Sequence, residues 1–286
     1  MALAVPALPA RPVERNTSLW LGGLLLVLLA ATAVLAPQLA ISDPTAVDLA
    51  AVRQPPSWAH PLGTDGVGRD VFSRVLYGGR ISLVVAGLGM LGSLLVGTAA
   101  GLLAAFGGRW VRLVVERAID VQLAFPYVLM AIAITSAIRP SIPVLILLMV
   151  LAGWAGAARV VRSIALQEHA KDYVKAAELI GASRLRIALL HVFPGVWPSV
   201  VVLAAMQMAA MIVFESTLSF LGMGIQPPTP SWGGIMLEGK EFMTTSWWLT
   251  VLPGLAIVLT SLSLVLIGDG LQRRQRQRSS RAGIDG

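Results

Sequence analysis

Residues 168–198, EHAKDYVKAAELIGASRLRIALLHVFPGVWP, decide the fold, because this charged stretch lies between two hydrophobic segments that are nearly free of charge. Good helix formers are frequent in it. It therefore predicts a compact helical segment that stands in water between two membrane spans. An ordered, water-exposed segment inside a membrane protein indicates a docking surface for a partner.

The charged stretch has an internal pattern of helix, break and helix. Residues 171–180 predict the first helix, Gly181 breaks it, and residues 182–190 predict a second short helix that ends at Pro194. A merely solvated loop, which is the alternative, would not need this regular spacing. The apolar stripe of the first helix is formed by Val174, Ala177 and Ile180.

Small and charged side chains predict where a partner would dock on this stretch. Alanines leave a flat face that can be approached closely, and charges of both signs surround it. Such a surface can fit a groove and transmit force as a rigid body. The candidate docking residues are Asp172, Lys175, Ala176, Ala177, Glu178, Gly181, Ala182 and Arg184.

Composition indicates that lipid is the solvent for much of the chain. Of its 286 residues, 56% are hydrophobic and 13% are charged, against about 25% charged residues in soluble domains. The net charge of +7 is explained by the lysines and arginines that collect in the cytoplasmic loops of membrane proteins. It does not indicate a nucleic-acid-binding protein. The absence of cysteine excludes disulfides and thiolate chemistry. No metal-ligand spacing is formed by the scattered histidines His60, His169 and His191.

The apolar runs predict an all-α, polytopic membrane protein with about six transmembrane helices, since a helix needs roughly 20 residues to cross a bilayer. Pro126 predicts a kink in the third span. For the first run, a cleaved signal peptide is the alternative, but the run is long for a signal core and further spans follow. The predicted spans are 19–36, 81–106, 121–138, 142–161, 196–214 and 247–267.

The distribution of basic residues predicts the orientation. With six spans, 16 of the 22 lysines and arginines lie on the side shared by both termini and the charged stretch, and 6 lie on the other. The positive-inside rule places the first side in the cytoplasm. The expected organisation is a cytoplasmic tail at 1–18, a first span at 19–36, an extracytoplasmic segment at 37–80, a bundle at 81–270 and a basic, frayed cytoplasmic tail at 271–286.

Several motifs match functional patterns without the required context. The GxGxxG at 87–92 lies inside a span, and the P-loop-like 234–240 is followed by Glu241 where Ser or Thr is required. The chain is therefore not expected to hydrolyse nucleotide. The GxxxG at 97–101 predicts packing within the bundle rather than dimerisation. Glu215, near the outer end of the fifth span, is expected to have a structural role at the membrane interface.

A further pattern is carried by AAELIGA at 176–182, followed by Ile187, His191 and Pro194. It resembles the EAA loop of permease subunits from binding-protein-dependent ABC importers. The resemblance implies that residues 166–194 form coupling helices that insert into a cleft of an ATP-binding subunit. Lys175 stands where many members have a glutamate, so a salt bridge from that glutamate is not expected here.

Two more segments are similar to the peptide/nickel branch of these permeases. They are HPLGTDGVGRD at 60–70 and LSFLG at 218–222, the latter followed by Pro227-Pro228 and Ser231-Trp232-Gly233. The resemblance implies a MetI-like permease core at 81–270 in a bacterial inner membrane. It also implies a second homologous permease, two ATP-binding subunits that hold ATP and magnesium, and an extracytoplasmic solute-binding protein.

The implied function is import of oligopeptides or dipeptides, driven by ATP hydrolysis on the partner subunits, with no cofactor and no chemistry in this chain. Import of nickel or another small solute by the same type of complex is the alternative. A self-contained secondary carrier is disfavoured by the scarcity of ionisable groups within the spans. A membrane enzyme is disfavoured because no catalytic constellation stands out.

Overall fold

The computed structural model describes residues 17–282, and within them the regular structure is almost entirely helical, which confirms the predicted fold class. The ends of the predicted tails, 1–16 and 283–286, lie outside the described residues. The helices are α1 (Thr17–Val34), α2 (Ala36–Leu39), α3 (Val71–Phe106), α4 (Arg109–Ala124), α5 (Tyr127–Ala137), α6 (Ile142–His169), α7 (Asp172–Leu179), α8 (Arg184–Arg186), α9 (Phe193–Phe220), α10 (Trp232–Gly239) and α11 (Trp248–Ala282), with a π-helix at Ile187–Val192 and 3₁₀ turns at Leu49–Ala51 and Lys240–Phe242.

Five of these helices are long and apolar enough to cross a membrane. They are α1, α3, α6, the continuous helix Arg184–Phe220, and α11. The bent pair α4–α5 brings the number to six if it is counted as one span. This agrees with the prediction of about six spans and describes a multi-pass membrane protein.

The third span differs from its prediction as a run with a kink at Pro126. The chain turns by 88° between α4 and α5. Proline has no N–H to donate and disfavours helical backbone in the residue before it, and Phe125 is extended. The 11 residues of α5 span about 16 Å, which is only about half of a bilayer core.

Three helices extend beyond their predicted ends. α3 begins at Val71 because Asp70 caps it, with its Oδ2 accepting hydrogen bonds from Ser73 N at 2.8 Å and Ser73 Oγ at 2.7 Å. α6 continues to His169, about 12 Å beyond its predicted end. α11 continues to Ala282, so the predicted fraying is wrong for most of the tail. Gln and Arg are good helix formers, and positive charge stabilises a helix C-terminus.

Small residues allow α3 and α6 to pack closely side by side. A Cβ added to Gly97 would lie 2.6 Å from Ala157 Cβ and 2.7 Å from Trp154 O. A Cβ added to Gly101 would lie 2.7 Å from Ala158 O. The GxxxG motif therefore serves packing within the bundle, as predicted.

Gly97→Ala is expected to destabilise the protein by about 1–3 kcal/mol, because the added methyl group overpacks the α3–α6 contact. Gly87→Ala, ten residues earlier in the same helix, is the matched control, because its Cβ would contact only Met208 Cε, at 3.8 Å. Thermal unfolding of both variants in detergent measures the difference. Equal melting temperatures would contradict the close packing.

The helices place polar regions at opposite ends of the bundle. α3 and α6 run in parallel, with the loop before α3 at one end and α7 at the other. A buried apolar cluster near α7 joins it to the bundle; its members include Leu94, Ala105, Val161, Ala165, Val174, Ile187, Val192 and Val196. Side chains with roles beyond packing are therefore concentrated at these two polar ends of the bundle.

Candidate functional site

The 166–194 segment is built around a helix stop at Gly181. Gly181 has φ +85°, a left-handed conformation that glycine adopts without a steric penalty. Gly181 N donates to Glu178 O at 2.9 Å, and Ala182 N donates to Ala177 O at 3.1 Å. These two bonds form a Schellman motif. The predicted sequence of helix, glycine break and second helix is confirmed.

The second helix does not end at Pro194 as predicted. It begins after Ser183, whose Oγ accepts a hydrogen bond from Arg186 N at 3.3 Å, and it continues through the π-helix into α9. Phe193 N donates to Ala188 O, five residues earlier. This wider turn accommodates Pro194, which has no N–H to donate. The segment is therefore connected to a membrane-spanning helix by continuous hydrogen-bonded backbone.

One face of the segment is anchored to the bundle. Val174 is fully buried, Ile187 is 3% exposed, and both belong to the apolar cluster that includes Val161 of α6. Ala177 is also buried, so the expectation that it lies on the outer docking face is wrong. Ile180, expected in the buried stripe, is 86% exposed.

On both sides of its glycine stop the segment exposes three large hydrophobic side chains, which we call the Leu179–Leu185 ridge. Its members Leu179, Ile180 and Leu185 are 89%, 86% and 70% exposed. Large aliphatic side chains grouped in water mark interaction sites. Sequence reasoning missed Leu179 and Leu185; their signal was a pair of leucines on either side of Gly181 and outside the apolar stripe. The other predicted docking residues surround the ridge: Asp172, Lys175, Ala176, Glu178, Gly181 and Arg184 are exposed, and Ala182 is half-buried.

Glu168, at the end of α6, fastens the back of the segment. Its carboxylate accepts a hydrogen bond from Lys171 Nζ at 2.7 Å and lies 3.3 Å from the hydroxyl of Tyr173, which also lies 3.0 Å from His191 O. Partial burial and the negative charge of Glu168 raise the pKa of Tyr173, so the hydroxyl stays protonated. These bonds join α6, α7 and the π-helix into one unit.

At the opposite end of the bundle, the 60–70 motif builds an ion network. Arg74 Nη1 donates to Asp65 Oδ2 and Arg74 Nη2 to Glu238 Oε1, both at 2.9 Å. Arg69 donates to the same two carboxylates at 2.6 Å each. Two arginines and two carboxylates thus form a closed ring, which we call the outer ring. It joins the loop before α3 and the first turn of α3 to α10.

Two further residues of the motif hold the same loop. His60 Nδ1 lies 3.0 Å from Asp70 Oδ1, and the other carboxylate oxygen of Asp70 caps α3. The hydroxyl of Ser73 accepts hydrogen bonds from Ile41 N at 3.1 Å and Ser42 N at 3.2 Å. The motif that carried the resemblance to the peptide/nickel branch is therefore an architectural element of this end of the bundle.

Glu215 lies inside the bundle, five residues before the end of α9, and its position at the membrane interface stays a prediction. It is fully buried. Its carboxylate accepts hydrogen bonds from Ser219 Oγ at 2.7 Å and Ser216 Oγ at 3.3 Å, and it also bonds with Ser82 of α3. The contacts give it a structural role, which is to tie α9 to α3.

Comparisons with known proteins agree with this arrangement. Residues 97–281 match the family described as binding-protein-dependent transport system inner membrane component. A protein of Brucella abortus biovar 1 that bears the name peptide transport system permease protein is 39% identical over 265 residues, which cover 93% of this chain and 89% of that protein. The di/tripeptide transport system permease protein DppC of Pseudomonas aeruginosa is 35% identical, over 88% of this chain and 86% of that protein.

A solved structure shows the same fold. A chain of the MetNI methionine ABC transporter, in inward-facing conformations, aligns with a TM-score of 0.56 at 15% identity, covering 69% of this chain and 96% of that chain. The family match and the long alignments with permease relatives lead to one conclusion. The chain belongs to the binding-protein-dependent transport system inner membrane components, and it is a permease subunit of an ABC importer.

Proposed function

We propose that this permease imports oligopeptides or dipeptides that an extracytoplasmic solute-binding protein delivers. The names of the Brucella and Pseudomonas relatives, which align along most of the chain, support peptides as the substrate class. Energy comes from ATP, which two partner subunits bind with magnesium and hydrolyse. This chain supplies part of the path and the mechanical connection to those subunits.

The proposal rests on one observation, which is that the Leu179–Leu185 ridge is exposed on a segment that is itself anchored to the bundle. The ridge offers an apolar contact to a cleft in an ATP-binding subunit, and Val174 and Ile187 fix its back to the bundle. Lys175 is exposed, and its ion pair with Asp172 has a length of 3.6 Å. Its positive charge therefore remains available to an acidic group on the rim of the cleft.

The proposed orientation places the 166–194 segment in the cytoplasm. The start of α1 lies beside the end of the apolar part of α11, because a Cβ on Gly270 would lie 2.7 Å from Leu19 Cβ. Leu271 of α11 lines a pocket together with Trp197 at the start of α9, so both helix ends lie at this same end of the bundle. The excess of lysine and arginine at this end favours the cytoplasmic side. Both termini are then cytoplasmic in a bacterial inner membrane.

The second permease subunit is proposed to pack against α4 and α5. This pair of helices exposes large apolar side chains on the outside of the isolated subunit, and Trp110, Val114 and Phe125 are 74%, 65% and 63% exposed. A homologous partner that covers such a surface would form a heterodimer, with the path between the two subunits. Lipid covers the remaining apolar surface.

In the proposed cycle, ATP binding draws the two ATP-binding subunits together. The docked 166–194 segment moves with them, and its continuous backbone carries the displacement into α9. The path then changes from inward-facing to outward-facing and receives the peptide. Hydrolysis and product release return the complex to its starting state.

Purification of the tagged chain from its own membranes is expected to recover a second permease and two copies of an ATP-binding subunit. Proteoliposomes that contain this complex and its binding protein should accumulate a labelled dipeptide only when ATP is supplied. Accumulation of nickel but not of the dipeptide would show that the proposed substrate class is wrong, while the assignment as an importer would stand. Solute uptake by this chain alone, without ATP, would identify a secondary carrier and contradict the proposal.

A further inference from the structure

An open-sided cavity of about 390 Å³ lies between α5, α6 and α9, away from both polar ends. Its α6 wall is made of small residues that include Gly153 and Gly156. A Cβ added to Gly156 would find no atom within 4 Å, so this glycine faces open space. Within the described part of the chain, no ionisable side chain other than the phenol of Tyr127 lines the cavity.

Gln207 is the polar exception in this wall, together with that phenol. Its Nε2 donates a long hydrogen bond to Gly153 O at 3.3 Å. Its Oε1 is buried and has no hydrogen-bond partner among the described residues. A buried acceptor without a partner costs about 1–3 kcal/mol, and such groups in native proteins call for an explanation.

Gly153 is required for this arrangement. A Cβ at Gly153 would lie 2.5 Å from Met211 Cε and 2.6 Å from Ser93 Oγ, and it would also clash with the Gln207 amide. Only glycine lets the amide lie flat against α6. The otherwise apolar wall thus contains an amide whose oxygen has no partner among the described residues and is covered by its neighbours.

We propose that this cavity is a station on the translocation path at which the Gln207 side chain turns toward the open space and its Oε1 accepts a backbone N–H of the passing peptide. This inference rests on the proposed function and names the chemistry that recognises the substrate. Every peptide bond except one to proline presents a backbone N–H, and small wall residues leave room for side chains of different sizes. Tyr127 and Phe214, edge to face with centroids 5.1 Å apart, provide an aromatic part of the wall.

Two other occupants fit the cavity less well. A nickel ion prefers several nitrogen or oxygen ligands at once, and the wall presents one amide oxygen, one phenol and the thioethers of Met206 and Met211, which suit softer metals such as Cu(I). A helix of the second permease would fill the cavity permanently at interior packing density. It would then also have to place a donor opposite Gln207.

Gln207→Met in the complete complex tests the hydrogen bond, because methionine keeps the length of the side chain and removes the acceptor. Proteoliposomes with the binding protein are offered alanyl-alanine or alanyl-lactate, in which an ester oxygen replaces the amide N–H. The substitution should lower uptake of the dipeptide about threefold to tenfold and leave uptake of the ester unchanged. The quantity compared is the ratio of dipeptide uptake to ester uptake, in the unaltered and the Gln207→Met complex. Because the binding protein is the same for both complexes, its own preference for dipeptide or ester cancels in this comparison. An unchanged ratio would overturn the inference.

Gly156→Leu tests the path itself, because the Cβ of the new side chain would lie in open space. It should stop dipeptide uptake while the complex still assembles. The matched control is Gly23→Leu on α1, where a Cβ also finds no atom within 4 Å, and uptake should persist. Loss of the second permease from purified Gly156→Leu complexes would identify the cavity as a subunit interface and overturn the inference. If the unaltered complex imports no peptide at all, the proposed function fails, and this inference fails with it.

Discussion

Replacing Leu179 and Ile180 together with aspartate is expected to abolish ATP-driven uptake while the permease remains folded. Both side chains are more than four-fifths exposed, so the isolated subunit loses almost no packing. Docking into a cleft would bury them, and burying two unpaired carboxylates costs several kcal/mol. A loss of that size lowers the affinity for the ATP-binding subunits about 100-fold or more.

The measurements for this variant are recovery of the ATP-binding subunits with the tagged permease and ATP-dependent uptake in proteoliposomes. Leu49→Asp is the control, because Leu49 is 75% exposed at the other end of the bundle, and it should retain both ATP-binding subunits. Normal recovery and uptake with the double variant would show that the ridge is not the docking surface.

The second large effect is expected from Arg74→Gln in the outer ring. The side chains of Arg74 and Asp65 are 2% and 1% exposed, and removal of the guanidinium leaves a buried carboxylate with one partner fewer. Breaking a buried ion pair from one side typically costs about 3–5 kcal/mol. The variant should unfold at a lower temperature, and proteases should cut the loop before α3 more readily.

Arg159→Gln is the matched control for this prediction. Arg159 Nη2 forms a pair with Asp120 of the same 2.9 Å length, but the two side chains are 60% and 54% exposed. Exposed pairs contribute about 0–1 kcal/mol. If both arginine variants melted at the same temperature, burial of the outer ring would not have the stabilising role that we assign to it.

The number of spans and the position of the 166–194 segment could be predicted from sequence, because both depend on local patterns. A run of apolar residues indicates a span wherever it lies, and charges grouped between two runs indicate a segment in water. The stop at Gly181 was equally local, since a glycine after a periodic helix favours a left-handed end. No information about distant contacts was needed for these features.

Ile180 shows where local pattern was insufficient. Its spacing from Val174 and Ala177 suits one helical face, but α7 ends at Leu179 and Ile180 has φ −84° and ψ 8°. The side chain therefore leaves the stripe and joins the exposed ridge. The periodicity was correct, and the error lay in assuming that the helix continued for one more residue.

Long-range contacts decided the remaining differences. The complete burial of Glu215 depended on α9 continuing to Phe220 and on Ser82, which is far away in the sequence. The early start of α3 depended on the loop folding back onto Ser73. The orphaned oxygen of Gln207 has no sequence signal, because it arises from the fit between α6 and α9.

The outer ring affects how the proposed solute-binding protein would dock on this permease. Because α10, the preceding loop and the start of α3 are already joined by ion pairs, this surface exists before any encounter. Immobilising a mobile side chain on association costs about 0.5–1.5 kcal/mol, and here that entropy loss has occurred during folding. In the proposed orientation, a solute-binding protein that docks at this end would therefore lose less side-chain entropy on association.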